Sequence, residues 1–179
     1  MLRPLYSNHA TKLLLIGPPF SGKRTLAKQL LLSTTLFYSI STLEDADQSS
    51  FDMVKNMDYI FIFVDMTNST SLILLEKTLA NMIPEYLLCK CAIVFTKVDM
   101  VPNWMLSEDQ VHNTIQNYGS PLTFYVNLSD DLMRKKITDQ MTRAISIGTF
   151  QQRNVHPLGA QFLDSYLPSM NGNENEDIR

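Results

Sequence analysis

A short apolar run, Lys12 to Ile16, ends abruptly in Gly17-Pro18-Pro19-Phe20-Ser21-Gly22-Lys23, and Leu26, Leu30 and Leu31 follow at helical spacing to about Leu32. A buried strand, a glycine-bounded loop and a helix, in that order, constrain the fold more than any other feature of the chain. The loop fits the first seven places of the phosphate-loop pattern G-x-x-x-x-G-K-[ST]. Two glycines let backbone N–H groups curl around phosphate oxygens, and the helix N-terminus adds positive potential. Lys23 then reaches the terminal phosphates as a point charge.

The eighth place departs from the pattern. Arg24 stands where a Ser or Thr hydroxyl would meet Mg²⁺, and Thr25 follows one position later. One helical position rotates a side chain by about 100°, and a guanidinium beside the metal position repels the cation. No metal site is therefore expected. Gly-Pro-Pro-x-Ser-Gly-Lys-x-Thr also resembles the phosphate loop of the nucleoside monophosphate kinases, in which the threonine does come one place later. A nucleotide thus stays open as a ligand.

Beyond the loop, strands and helices alternate. Leu36 to Ile40 reads as a second strand, Tyr59 to Val64 as one buried on both faces, and Cys89 to Phe95 and Leu122 to Val126 as two more. Between them, a helix capped by Ser69 or Ser71 runs to Ile83, and another from Ser107 to near Gly119. A third follows Asp130 and Asp131 with a buried stripe of Met133, Ile137, Met141, Ala144 and Ile145. Phe51, Met53 and Val54 fit a helical turn or a weak strand. Such alternation implies right-handed crossovers and a three-layer α/β fold around a mainly parallel sheet. The expected organisation is one domain over 1–150, an extension over 151–170 that includes a short helix from Pro157 to Tyr166, and a disordered tail over 171–179.

Composition closes off several classes. Fifteen Lys and Arg against eighteen Asp and Glu give a net charge of -3, which argues against gripping DNA or an anionic membrane by overall charge. No apolar run approaches the ~20 residues of a membrane span, and the Leu13-Leu14-Leu15-Ile16 run is too short for the core of a signal peptide. Cys89 and Cys91, two apart, point to one face of a strand and have no histidine at metal-ligand spacing, so a structural role in a reducing compartment is expected.

Thr96-Lys97-Val98-Asp99, at the end of a buried strand, resembles the [NT]-K-x-D guanine-specificity motif of the Ras-like GTPases. In that family the aspartate accepts the two guanine N–H groups and the lysine packs along the base. Turnover also needs a switch threonine and an Asp-x-x-Gly motif that places water at the γ-phosphate. No glycine lies between Gly22 and Gly119, so no such motif exists there. Thr34 to Met57 is also too short for two ordinary strands and both switches. Asp65 reads as holding the turn before the Ser69 helix rather than binding Mg²⁺.

The chain as a whole resembles the centromere protein M family of Ras-like pseudo-GTPases. The resemblance rests on the opening Leu2-Arg3-Pro4-Leu5, the Ala10-Thr11-x-Leu13-Leu14-x-Ile16-Gly17 entry, the shortened switch region, Asp58-x-Ile-x-Ile-Phe-Val with Ser71-Leu72 after it, and Ser120-Pro121-Leu122. It implies a small-GTPase-like fold and a nuclear, structural subunit of the inner kinetochore, not an enzyme. Such a subunit binds centromere protein I in an assembly with centromere proteins H and K, without a nucleotide cofactor. Gly17, Gly22, Lys23, Thr25, Thr96, Lys97 and Asp99 then form a vestigial or weak nucleotide site. The alternative is a GTP-binding small GTPase that uses those same residues. A monophosphate kinase would need an arginine-rich lid, for which Arg134-Lys135-Lys136 is the sole cluster. Trp104, in a Pro-containing loop, fits either an interface anchor or a side chain tucked onto its own domain.

Overall fold

The computed structural model describes residues 10–45, 54–152, 155, 156, 158, 159 and 163. Its centre is a five-stranded, all-parallel sheet made of β1 (Thr11–Ile16), β2 (Tyr38–Leu43), β3 (Tyr59–Asp65), β4 (Cys91–Thr96) and β5 (Leu122–Val126), in the spatial order β2-β1-β3-β4-β5. All seven residues of β3 are buried, as its unbroken apolar sequence requires of a central parallel strand. Side chains alternate across the sheet. Tyr59, Phe61 and Phe63 face α1 (Lys23–Leu31) and α5 (Asp131–Gly148). Ile60, Ile62 and Val64 face the layer of α2 (Thr70–Ala80), α3 (Pro84–Cys89) and α4 (Glu108–Asn117). The result is the three-layer, small-GTPase-like α/β arrangement that the element order predicts.

Several boundaries differ from the sequence reading. The second strand is Tyr38–Leu43, shifted from Leu36–Ile40, because its ladder with β1 runs on to Leu43, whose carbonyl accepts from Gly17 N. The helix read as continuous to Ile83 breaks after Ala80. Pro84 lacks an N–H and holds Ile83 extended (φ -71°, ψ 144°), so a new helix starts there. Cys89 consequently ends α3 while Cys91 opens β4, so the two thiols do not share a strand face. Met133 is 55% exposed rather than part of the buried stripe, because the buried side of α5 begins only at Ile137.

The helix starts are individually explained. At α4, Ser107 and Gln110 form a reciprocal capping box, and Gly119 (φ 80°) ends the following turn. Before α2, neither predicted serine caps by its side chain. Asn68 Oδ1 accepts from Thr70 N and Oγ1 instead, and the Ser71 hydroxyl accepts from Asp65 N. At α5, Asp130 Oδ1 accepts from Leu132 N at 2.8 Å and Met133 N at 3.0 Å. Asp130→Ala is expected to cost about 1 kcal/mol, read as a lower urea midpoint at an unchanged m-value. Phe51 and Met53, most of the Pro157–Tyr166 segment and the tail over 171–179 lie outside the described residues.

Candidate functional site

From β1 the chain turns to β2 on one side and then crosses to β3 on the other. This puts the switch point of the topology at the carboxyl ends of β1 and β3, where open α/β sheets bind ligands. The loop from Gly17 to Gly22 stands at that point. Gly17 lies so close to β3 that a Cβ there would sit 2.6 Å from Phe63 Cβ and 3.0 Å from its carbonyl oxygen. Gly22 begins α1 in the left-handed region (φ 91°), and a Cβ on it would come 2.3 Å from Leu128 Cδ1. Gly17 is therefore required by the close approach of β3 and Gly22 by its left-handed backbone, apart from any phosphate.

Lys23 is buried, and its Nζ donates to the carbonyls of Gly17 and Pro18, each at 2.6 Å. Burial lowers its pKa from 10.5, with Glu44 pulling it back up and Arg24 adding to the fall. The Ser21 hydroxyl, buried between these elements, is the one buried side-chain polar atom among the described residues without a hydrogen-bond partner. Arg24 and Thr25 are exposed on α1. Thr25, two helical positions beyond Lys23, projects from a different side of the helix than the cradle lysine.

The second motif lies at the carboxyl end of β4. Thr96 is buried and donates to Val64 O at 3.4 Å. Lys97, at φ 59°, places its Nζ 2.5 Å from Asp65 Oδ2 and 3.3 Å from Thr67 Oγ1. The carboxylate of Asp65 is 3% exposed, and its other oxygen accepts from Thr67 N at 3.0 Å and Thr67 Oγ1 at 2.7 Å. Asp65 thus holds the turn after β3, as the sequence predicts, and also neutralises the lysine. Trp104 folds back on its own domain, where its Nε1 donates to Lys97 O at 3.2 Å. Asp99 is exposed.

The two motifs meet through Leu128. This residue follows β5 and packs against Gly22, while Thr96 Cγ2 lies 4.0 Å from where a Gly22 Cβ would be. Phosphate loop and Thr96-Lys97-x-Asp99 thus border one site, yet Lys23 is bonded to its own loop and Lys97 to Asp65. Leu128 and the Lys97–Asp65 pair escaped the sequence reading. A lone leucine after a strand carries no signal, and an ion pair 32 residues apart (97 − 65) is set only by the β3–β4 register. Among the described residues no three His, Cys, Asp or Glu side chains are grouped to hold a metal ion, and no helix is long and apolar enough to cross a membrane.

A family model described as centromere protein M (CENP-M) matches residues 5–165, a stretch that contains every strand of the sheet and both loop motifs. The chain belongs to the centromere protein M family. No curated protein matches it in a direct sequence comparison. Membership in the centromere protein M family makes it a kinetochore component, associated with the centromere of the chromosome in the nucleus. The inward-turned lysines are therefore features of a structural centromere protein built on a small-GTPase-like frame.

Proposed function

We propose that this centromere protein M family member is a pseudo-GTPase scaffold. In this reading it binds centromere protein I within an assembly that includes centromere proteins H and K, without specific DNA contact and without a nucleotide cycle. The observation that carries the reading is the Lys97–Asp65 ion pair. It engages both the lysine that would pack along a guanine and the buried carboxylate at the end of β3. The absence of any glycine between Gly22 and Gly119 removes the water-positioning motif as well.

Reconstitution with purified centromere proteins I, H and K tests this. Assembly is expected for the wild type and, undiminished, for Thr25→Ala and Asp99→Ala, both exposed positions whose replacement spares the fold. GTP turnover is expected at the rate of buffer. Collapse of the assembly in either variant with an intact circular-dichroism spectrum would make the motifs functional and overturn the reading.

One observation favours a second reading, retained anion binding: the unpartnered Ser21 hydroxyl beside Gly17, Gly22 and Lys23. A buried hydroxyl without a partner costs about 1–3 kcal/mol, which a phosphate oxygen would recover. Titration with a fluorescent GTP analogue, with and without Mg²⁺, decides it. Absence of binding near 1 mM, weaker than about −4 kcal/mol, eliminates this site.

A further inference from the structure

The helices α1 and α5 lie side by side on one face of the sheet and run in the same direction. Gly22 packs against Leu128 near their starts, and Gln29 Oε1 accepts from Arg134 Nε at 3.4 Å further along. Their sequences hold seven Lys and Arg against two Asp, a local charge of +5 on a chain whose total is -3, so the remainder carries -8. Apart from the buried Lys23 and the half-buried Arg134, these cations are exposed.

Large apolar side chains are exposed near the starts of both helices. Leu132 is 81% exposed and Met133 55% exposed on α5, and Phe20 is 93% exposed in the loop that leads into α1. Phe20 also adopts φ 61°, a backbone state that costs a bulky residue on the order of 1–3 kcal/mol. An aromatic ring held fully in water by an unfavourable backbone has no packing rationale among the described residues. Arg24 and Lys28 follow Phe20 one and two turns into α1, and Lys135 follows Leu132 one turn into α5, all three exposed.

We infer that the α1–α5 face is a protein-docking surface whose occupant is an acidic amphipathic helix of a partner subunit. Its apolar stripe covers Phe20 and Leu132, and its carboxylates meet Arg24, Lys28 and Lys135. Charge complementarity selects the acidic sequence, since the local excess of cations stands out against an acidic chain. The apolar groups select a helix over nucleic acid, because a phosphodiester backbone offers Leu132 and Phe20 nothing to bury against. The partner used in the first test below rests on the scaffold reading; the surface itself does not.

Two arms test the inference. In the first, the full chain is titrated with the reconstituted centromere protein I–H–K complex. Lys28→Glu/Lys135→Glu and, separately, Leu132→Glu are each expected to weaken binding tenfold or more. Wild-type affinity is expected to fall with rising salt, and less so in the charge-reversed variant. Ile73→Glu, at an exposed apolar position on α2 across the sheet, is expected to bind like the wild type.

In the second arm, a synthetic helical peptide with leucines at i, i+3/i+4 spacing flanked by glutamates is titrated into ¹⁵N-labelled protein. Amide shifts are expected on α1 and α5. Full affinity of all variants, equal damage from Ile73→Glu, or a wild-type dimer dissolved by Leu132→Glu would overturn the inference. Duplex DNA binding lost on charge reversal would overturn it too. If the wild type ignores the complex, the scaffold reading fails and the peptide arm alone decides: shifts confined to α1 and α5 uphold the surface, and their absence there refutes it.

Discussion

Lys97→Ala is expected to lower the folding free energy by about 2–3 kcal/mol, more than a surface lysine warrants. The carboxylate of Asp65 is 3% exposed and faces Lys97 Nζ at 2.5 Å, so removing the ammonium strands a buried negative charge. Breaking a buried pair on one side costs roughly 3–5 kcal/mol. The smaller figure applies because the Lys97 side chain is 33% exposed, so water screens the pair and reaches part of the vacancy, and because Thr67 still donates to Asp65 from its N–H and hydroxyl. Asp65→Ala alone leaves an ammonium that water can reach and is expected to cost less. Combining the two changes is expected to recover at least half of the Lys97→Ala loss in a double-mutant cycle by urea unfolding. A lysine kept for guanine would behave otherwise: stability unchanged within about 0.5 kcal/mol and GTP affinity reduced. That outcome would undo the scaffold reading at its central observation.

Sequence periodicity made β1, β3 and β5 legible to within one residue, because each is buried on one or both faces and its alternation or continuity is dictated by the two cores. It was less informative where exposure relaxes that demand. The edge strand β2 has no fully buried residue, so nothing in its composition marks where pairing begins, and the apolar pattern starts at Leu36, two residues ahead of the strand. The Pro84 break was visible in principle, but the apolar run on both sides of it read as one helix followed by a strand. Cys89 therefore reads as part of the strand although it ends α3. Met133 fits the heptad-like spacing of its helix but lies ahead of the buried part of α5, a property of helix placement rather than of helix pattern. At the site, the glycines and Lys23 were legible because each backbone conformation needs its residue type. The ion pair and Leu128 were not, since both depend on which strand ends the sheet order brings together.

Stability is expected to fall steeply above pH 9, owing to two buried acids at the centre of the sheet. Burial pushes the Cys91 thiol from 9.0 up to about 12. Tyr59 is pushed well above 10.0, chiefly by burial and further by Cys91 and Cys89. Both groups bind a proton in the native state that the unfolded chain releases at its ordinary pKa. The Cys91 contribution is therefore complete below pH 9 and lost as pH rises through 9 to 12, and that of Tyr59 is complete below pH 10 and lost above it, at about 1.4 kcal/mol per pH unit for each group once its unfolded form ionises. Cys91 alone accounts for about 4 kcal/mol by pH 12. Lys23 acts in the opposite sense: its native pKa lies below 10.5, so stability rises with pH up to 10.5 and gains nothing beyond. The offset ends there, and the steepest loss is expected past pH 10.5. Urea midpoints at pH 8, 10 and 11 measure the profile. Cys91→Ala is expected to be less stable at pH 8, by roughly 1 kcal/mol for the small cavity it opens, yet to lose stability more slowly above pH 9, so that the two curves converge. An unchanged slope in Cys91→Ala would mean that the thiol reaches water in the native state. The seam between β3 and β4, at the far end of which Asp65 meets Lys97, would then not be sealed.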